Sequence, residues 1–316
     1  MLKSVLSNKA TPIGGNMKAL MIINPKAGKA KRGRSADYLR REFLLHGYDC
    51  DVIVTKKPRE AEKIAREMAG AYQLIICLGG DGTLNETVNG LNALKERPPI
   101  AYLPTGTTND FAGSLGLSTD ISRAMRDTFH GAKKKLDIGT MNNRAFVYVA
   151  SFGAFSDSSF KTPQVLKNRF GRLAYIFESL RELPSIKSHR MKVYDQNGEI
   201  CRGKYIFGAV SNSTTIGGML HYSKSDISLS DGKHEVLLVK KPSSPGMLRR
   251  MAKALISGNY KADGIEMFHA SHVRFESEDE TVWSLDGERC EPVKTIDIDN
   301  FQNAMEFIVP KRILIA

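Results

Sequence analysis

The chain has 316 residues, a formal net charge of +12, 41% hydrophobic and 8% aromatic residues. That length suggests about two domains with sizeable cores; the composition is ordinary for a globular protein, with no internal repeat and no low-complexity tract. The positive charge favours an anionic partner, whether nucleic acid, a polyphosphate ligand or an anionic membrane surface.

Residues 1–16, "MLKSVLSNKATPIGGN", hold no apolar core long enough for a signal peptide and read as a polar, flexible leader. Met17 is a possible alternative start. No segment reaches the roughly 18 apolar residues that a spanning helix needs. From Lys18 the pattern becomes regular. "KALMIINP" reads as a strand, "SADYLRREFLLHG" as an amphipathic helix stopped by Gly47, "YDCDVIVT" as a strand, and "REAEKIAREMAG" as a helix closed by Gly70. "YQLIICLGG" reads as a strand, "LNETVNGLNALKE" as a helix with Leu84, Val88, Leu91 and Leu94 on one face, and "PIAYLP" as a strand. Alternating strands and helices predict an α/β layer with a mostly parallel sheet, whose ligands bind beyond the carboxyl ends of the strands. Near Asp137 the style changes to alternating apolar runs: "RAFVYVASFGAF", "HRMKVYD", "KYIFGAVSN", "HEVLLVKK", "HVRFESE", "TVWSLDGE", "VKTIDID" and "MEFIVP". Within them only "GRLAYIFESLRELP" and "PGMLRRMAKALISG" look helical. This predicts a second, antiparallel β-rich domain beginning near residues 138–145.

Cys50, Cys77, Cys201 and Cys290 form no Cys-x-x-Cys pair and have no histidine at metal spacing. They read as free thiols in a reducing cytoplasm. The scattered histidines form no His-x-x-x-His pair, and no Gly-x-Ser-x-Gly elbow occurs, so zinc and serine-hydrolase chemistry are disfavoured.

Five stretches carry candidate chemistry. "NPKAGKAKRGR" follows the first strand and offers Gly28 for a tight backbone and Lys26, Lys29, Lys31, Arg32 and Arg34 for charge; it lacks the Gly-Lys-Ser/Thr ending of a Walker A loop. A solvated basic loop is the bland alternative. "GGDGT" places Gly79, Gly80 and Gly82 at a strand-to-helix turn, where bare amides and the helix amino end favour a phosphate. Asp81 would repel a phosphate, which points to Mg²⁺ between them or to a basic partner; Thr83 can donate its hydroxyl. A plain turn is the alternative. "LPTGTTNDF" repeats the arrangement, with Gly106, neutral Thr105, Thr107, Thr108 and Asn109, and a second carboxylate, Asp110; alone it reads equally as an Asx-type turn. "KKKLDIG" puts Asp137 behind three lysines, either a surface charge run or a functional carboxylate. "WSLDGERCEP" contains Asp286 and Glu288, either a hairpin turn or a carboxylate pair able to take a proton from a hydroxyl.

"GGDGTLNETVNGL", "LPTGTTNDFA" and "SLDGE", in this order and at these separations, resemble the diacylglycerol kinase catalytic family, in its soluble bacterial, YegS-like branch. The likeness runs from about Lys18 to the C-terminus. "GGDGT" is shared with NAD kinases; "GTxNDF" separates the lipid kinases from them. The resemblance implies an α/β fold of two domains, a Rossmann-like nucleotide-binding domain and an antiparallel β-sandwich domain, with the active site in the cleft between. The boundaries would be 1–16 for the leader, 17–142 with about 300–316 for the nucleotide-binding domain, and 143–299 for the lipid-facing domain. It implies transfer of the γ-phosphate of ATP to a lipid hydroxyl, diacylglycerol foremost, with phosphatidylglycerol, undecaprenol and sphingoid bases as other acceptors; NAD kinase and a non-catalytic binding protein are the alternatives outside that class. By position, Asn24, Pro25, Lys26, Ala27, Gly28, Thr55, Gly79, Gly80, Asp81, Gly82, Thr83, Leu84, Asn85, Glu86 and Thr107 resemble ATP contacts. Asp81, Asp110 and Asp137 resemble an acidic network around Mg²⁺, Glu288 the proton acceptor, and Asp286 its neighbour. Ser228, Asp231 and Lys233 resemble a second, structural Mg²⁺ site, although "LSDG" stands where relatives often carry two aspartates. The implied setting is the cytoplasm, peripheral at the inner face of the membrane, with a lipid substrate, no nucleic acid, and a homodimer as a possible assembly. "KNRFGRLAYIFESLRELPSIKSHR" mixes aromatic and basic residues and is either a membrane-docking helix or a core helix.

Overall fold

The structure is a computed structural model; it describes residues 16–27, 35–107, 109–153, 187–213, 215–216, 220–221 and 228–313. Four strands, β1 (Met17–Ile23), β2 (Tyr48–Val54), β3 (Leu74–Gly79) and β4 (Ile100–Pro104), pair in parallel in the order β4-β3-β1-β2. Both faces of this sheet are covered at β1, β3 and β4, which are apolar on both sides; the edge strand β2 keeps Asp49, Asp51 and Val54 exposed. Ala19, Met21 and Ile23 pack with α1 (Ala36–Leu45) and α5 (Ile121–His130). Leu20 and Ile22 face the opposite way, toward α2 (Glu60–Met68) and α3 (Asp81–Asn92). Helix ends follow local chemistry: the Ser35 and Asp120 side chains accept the amides of Tyr38 and Arg123 and so cap α1 and α5.

Three elements of this part of the chain differ from the sequence reading. Helix α3 begins at Asp81, three residues before the periodic apolar face starts, so Asp81, Gly82 and Thr83 form its first turn. Helix α5 adds to the elements read from the sequence; its signal is the Asp120 cap ahead of an apolar stripe. The run "KKKLDIG" lies inside β5 (Ala132–Met141), where Asp137 is fully buried, so it is not merely a solvated charge run.

The β-rich half contains β6 (Arg144–Phe146), β7 (Val149–Gly153), β8 (His189–Asp195), β9 (Gly198–Ser211), the short pair β10 (Thr215–Ile216) and β11 (Leu220–His221), and β12 (His234–Lys240). Helix α6 (Pro245–Ser257) follows, capped by Ser244 and ended by Gly258 at φ 69°. After it come β13 (Ile265–Ala270), β14 (His272–Thr281), β15 (Trp283–Leu285), β16 (Glu288–Arg289) and β17 (Val293–Val309). One face of these strands forms a second core around Trp283, whose ring lies 4.9 Å from Phe152 and 5.0 Å from Phe275, centroid to centroid; Ile206, Leu237 and Val239 on the other face, with Met251 and Leu255 of α6, join the cluster that contains Leu20 and Ile22.

The runs "VKTIDID" and "MEFIVP" are one strand, β17. It pairs antiparallel with β14 and β5, then meets β4 in parallel at Phe307 and Ile100. Its register on β5 shifts between Phe301 and Met305, where Asn303 takes φ 53°. A helix between β4 and β5, α4 (Asp110–Ser114), completes the described α-helices. All four cysteines are free, Cys50 and Cys77 buried. No helix among the described residues is long and apolar enough to cross a membrane. The leader up to residue 15, Gly28 with the rest of the basic loop to Arg34, Thr108, and the "GRLAYIFESLRELP" stretch lie outside the described residues; of the 167–190 stretch, read as either a docking or a core helix, only the last four residues are inside, with His189 and Arg190 opening β8.

Candidate active site

Three turns converge at the carboxyl ends of β1, β3 and β4. Gly80 caps α3, leaving the amides of Asp81, Gly82 and Thr83 without intrahelical acceptors. The turn after β4 presses against it: a Cβ on Gly106 would lie 2.6 Å from the Gly80 Cα. That approach is why both positions lack side chains. Thr105 N–H donates to Gly79 O at 2.8 Å and fastens the two turns together. The turn after β1 joins them through Asn24, whose Nδ2 donates to Thr83 Oγ1 at 2.9 Å while its Oδ1 accepts the Lys26 amide at 2.9 Å. The Thr83 hydroxyl accepts from Asn24 through one lone pair, which leaves its proton available to a ligand. Thr55 is buried and donates its hydroxyl to Ile23 O at 3.2 Å, so it can only accept from a ligand.

These turns frame an open cleft of about 450 Å³. Asn24, Lys26, Ala27, Thr55, Lys56, Lys57, Pro58, Gly80, Gly82, Thr83, Glu86, Gly106, Thr107 and Glu288 line it. Glu288, from the β-rich half, therefore faces the glycine turns across the cleft. Lys56 and Lys57 escaped the sequence reading, although they directly follow Thr55 at a strand end. Glu86 spans from the cleft to the start of α2, accepting the Arg59 and Ala61 amides at 2.8 and 3.1 Å. Burial raises its pKa, and the charge of Glu288 adds to the rise.

The other carboxylates lie behind this lining. Asp81 is half-buried; its Oδ2 accepts the Asp110 amide at 3.1 Å, so it caps α4 and ties the two turns. Burial raises its pKa against these hydrogen bonds. Burial pushes the pKa of the Tyr148 hydroxyl well up, and the charges of Asp286, Asp110 and Asp81 add to the rise.

The pair in "DGE" divides. Asp286 and Gly287, at φ 48° and 87°, form the two-residue turn between β15 and β16. Asp286 does not line the cleft: it is 5% exposed and accepts the amides of Val147, Tyr148 and Val149 and the Asn85 side chain, at 2.7–3.0 Å. A carboxylate so occupied anchors the hairpin and leaves the cleft to Glu288. Asn85 and Leu84 are likewise buried. Asp137 stands apart from the cleft lining. Its oxygens accept the Gly232 and Asn303 amides at 2.7 and 2.8 Å, which pins the Ser228–Lys233 loop to the bulge in β17. In that loop Asp231 accepts the Lys233 amide at 3.0 Å.

Among the described residues no three Asp, Glu, His or Cys side chains converge as a metal cage. Mg²⁺ commonly takes one or two carboxylates, keeps several waters and uses substrate phosphates for the rest. Asp81, in the first turn of α3 and bonded to the Asp110 amide, is a carboxylate of that kind beside amides that suit phosphate.

Comparison with known proteins gives a consistent picture. Residues 18–141 match the diacylglycerol kinase catalytic domain, and residues 155–304 match the YegS C-terminal NAD kinase beta sandwich-like domain. A diacylglycerol kinase of Bacillus subtilis is 30% identical over 273 residues, 86% of this chain and 89% of the relative. A diacylglycerol kinase of Staphylococcus aureus is 32% identical over 225 residues, 71% of each chain. The crystal structure of a diacylglycerol kinase from Bacillus anthracis superposes with a TM-score of 0.75, covering 94% of this chain and 98% of that one at 24% identity, a likeness of fold.

Proposed function

The chain belongs to the diacylglycerol kinase family, as an ATP-dependent lipid kinase, and from that premise we propose that it phosphorylates diacylglycerol to phosphatidic acid. One observation carries the placement of the chemistry: Glu288 faces the unsatisfied amides of the α3 turn across a single cleft. The amides of Asp81, Gly82 and Thr83, with the Thr83 hydroxyl and Lys26, hold the phosphates of ATP. Asn24 orients that hydroxyl. Glu288 accepts the proton of the lipid hydroxyl as its oxygen bonds to the γ-phosphorus. The bond to the bridging oxygen breaks, and its electrons leave on ADP. Such transfer depends on positioning and charge stabilisation more than on covalent help. Asp81 and Asp110 would hold the Mg²⁺ that neutralises the phosphates, and the Ser228–Lys233 loop, with Asp231, a second, structural ion.

The acceptor sits in a membrane, and the net charge of +12 supports reversible docking on an anionic leaflet from the cytoplasmic side, with about 1 kcal/mol gained per basic residue near the surface.

The test is labelled ATP and Mg²⁺ with mixed micelles of diacylglycerol, phosphatidylglycerol, undecaprenol or a sphingoid base. Labelled phosphatidic acid is expected as the fastest product; faster labelling of another acceptor, or of none, overturns the assignment. Glu288→Gln should lower turnover about 10²–10⁴-fold, the usual share of a general base, with the melting temperature unchanged.

A further inference from the structure

Glu288 does not stand alone at the cleft. Its Oε2 accepts from Arg144 Nη2 at 2.7 Å. Its other oxygen, Oε1, is the nearest atom that a Cβ on Gly82 would meet, at 3.7 Å. One oxygen is thus held by a guanidinium, and the other faces the first turn of α3.

The strand that carries Arg144 is itself fixed on both sides. The next residue, Ala145, donates its amide to Asn89 Oδ1 at 3.0 Å, and its carbonyl accepts from Asn85 and Asn89 at 3.1 and 3.0 Å. Both asparagines belong to α3, the helix that begins at the phosphate turn. Two residues further on, Val147 donates to Asp286 at the hairpin that carries Glu288. The guanidinium therefore rises from a segment locked to both partners of the reaction geometry. Glu86 lines the same cleft as a second carboxylate, so without a cation beside it Glu288 would tend to swing away.

We propose that Arg144 is a positioning residue for phosphoryl transfer: it grips one oxygen of Glu288 and aims the other at the acceptor hydroxyl above the α3 turn. The inference rests on the reading of Glu288 as proton acceptor. A guanidinium is suited to the task because it donates only and does not titrate, so it holds the carboxylate without competing for the hydroxyl proton. The proton passes to Glu288, and Arg144 gains and loses nothing.

The experiment compares the full-length wild type with Arg144→Met, Arg144→Lys, Glu288→Gln and the double variant, using diacylglycerol in mixed micelles. Arg144→Met should lower kcat about 10–100-fold, the scale of a misplaced reacting group, while the KM for ATP changes less than about twofold and the melting temperature holds. Arg144→Lys should recover part of the loss, and the double variant should be no slower than Glu288→Gln alone. Should Arg144→Met fail to fold, Arg144→Gln, which keeps a polar stem, is measured in its place. Wild-type kcat in either uncharged variant, or losses that multiply in the double variant, overturns the proposal. If Glu288→Gln keeps full activity, the reading of Glu288 fails instead, which a normal Arg144→Met beside a dead Glu288→Gln would not show.

Discussion

Asp286 shows how one side chain decides where another can work. Its four donors, three amides and the Asn85 side chain, all lie in the interior. Removing their acceptor leaves the three amides unsatisfied, at about 1–3 kcal/mol apiece, while the Asn85 amide keeps its bond to the Ala145 carbonyl. Asp286→Ala should therefore destabilise the fold by at least about 3 kcal/mol in urea unfolding, with a further penalty for alanine at φ 48°. A loss under 1 kcal/mol would mean that the hairpin is held by something else. The same residue leaves a mark on pH dependence. Burial pushes Asp286 up to about 6, although its hydrogen bonds favour the ionised form. An unfolded aspartate ionises near pH 4, so between about pH 4 and about pH 6 the folded state holds the extra proton. Stability from this site is then greatest below pH 4 and falls as pH rises through about 6. The wild-type minus Asp286→Ala difference should shrink across that window; a difference that grows with pH would reverse the assignment.

At the scale of elements, the glycines of the phosphate turns separate into two kinds. Gly106 is constrained by contact: its Cβ would meet the Gly80 Cα at 2.6 Å and Asn109 Oδ1 at 2.8 Å. Gly106→Ala should part the two turns, costing about 1–3 kcal/mol as overpacking does, and raise the KM for ATP. Gly82 is constrained by its ligand instead. Its Cβ would find only Glu288 Oε1, at ordinary contact distance, and a Gly→Ala change at a compatible helical position stabilises by about 0.4–1 kcal/mol. Gly82→Ala should therefore hold or raise the melting temperature while lowering kcat/KM at least tenfold; unchanged kinetics would remove that amide from the site. Much of this was legible beforehand. The glycine spacings, the strand ends before them and the "DGE" turn can all be read along the chain, because they are local. The division of labour between Asp286 and Glu288 cannot, since it depends on Val147 to Val149 arriving from 138 residues or so away. Arg144 was invisible for the same reason, being one more charge at the head of an apolar run.

At the scale of the whole molecule, the two halves are sewn together by β17. "VKTIDID" and "MEFIVP" look like separate strands because Asn303 interrupts the alternation. The backbone continues through that point in a left-handed residue whose amide Asp137 secures. Beyond it, Phe307 is fully buried, packs edge-on against Phe111 at 5.3 Å between centroids, and reaches β4 of the parallel layer. The same strand lies against β14 of the β-rich half. Unfolding either half must therefore strip pairing from the other, and the chain should melt as one unit despite its length. The protein carries a natural pair of probes for this. Its single tryptophan, Trp283, sits in the β-rich core, while ellipticity at 222 nm is dominated by helices, most of the described ones on the parallel layer. The two melting curves should coincide in the wild type. Phe307→Ala, a truncation that typically costs 3–5 kcal/mol in a core, should lower both midpoints together. A wild-type tryptophan transition several degrees away from the helical one would show that β17 links the halves without coupling their stability.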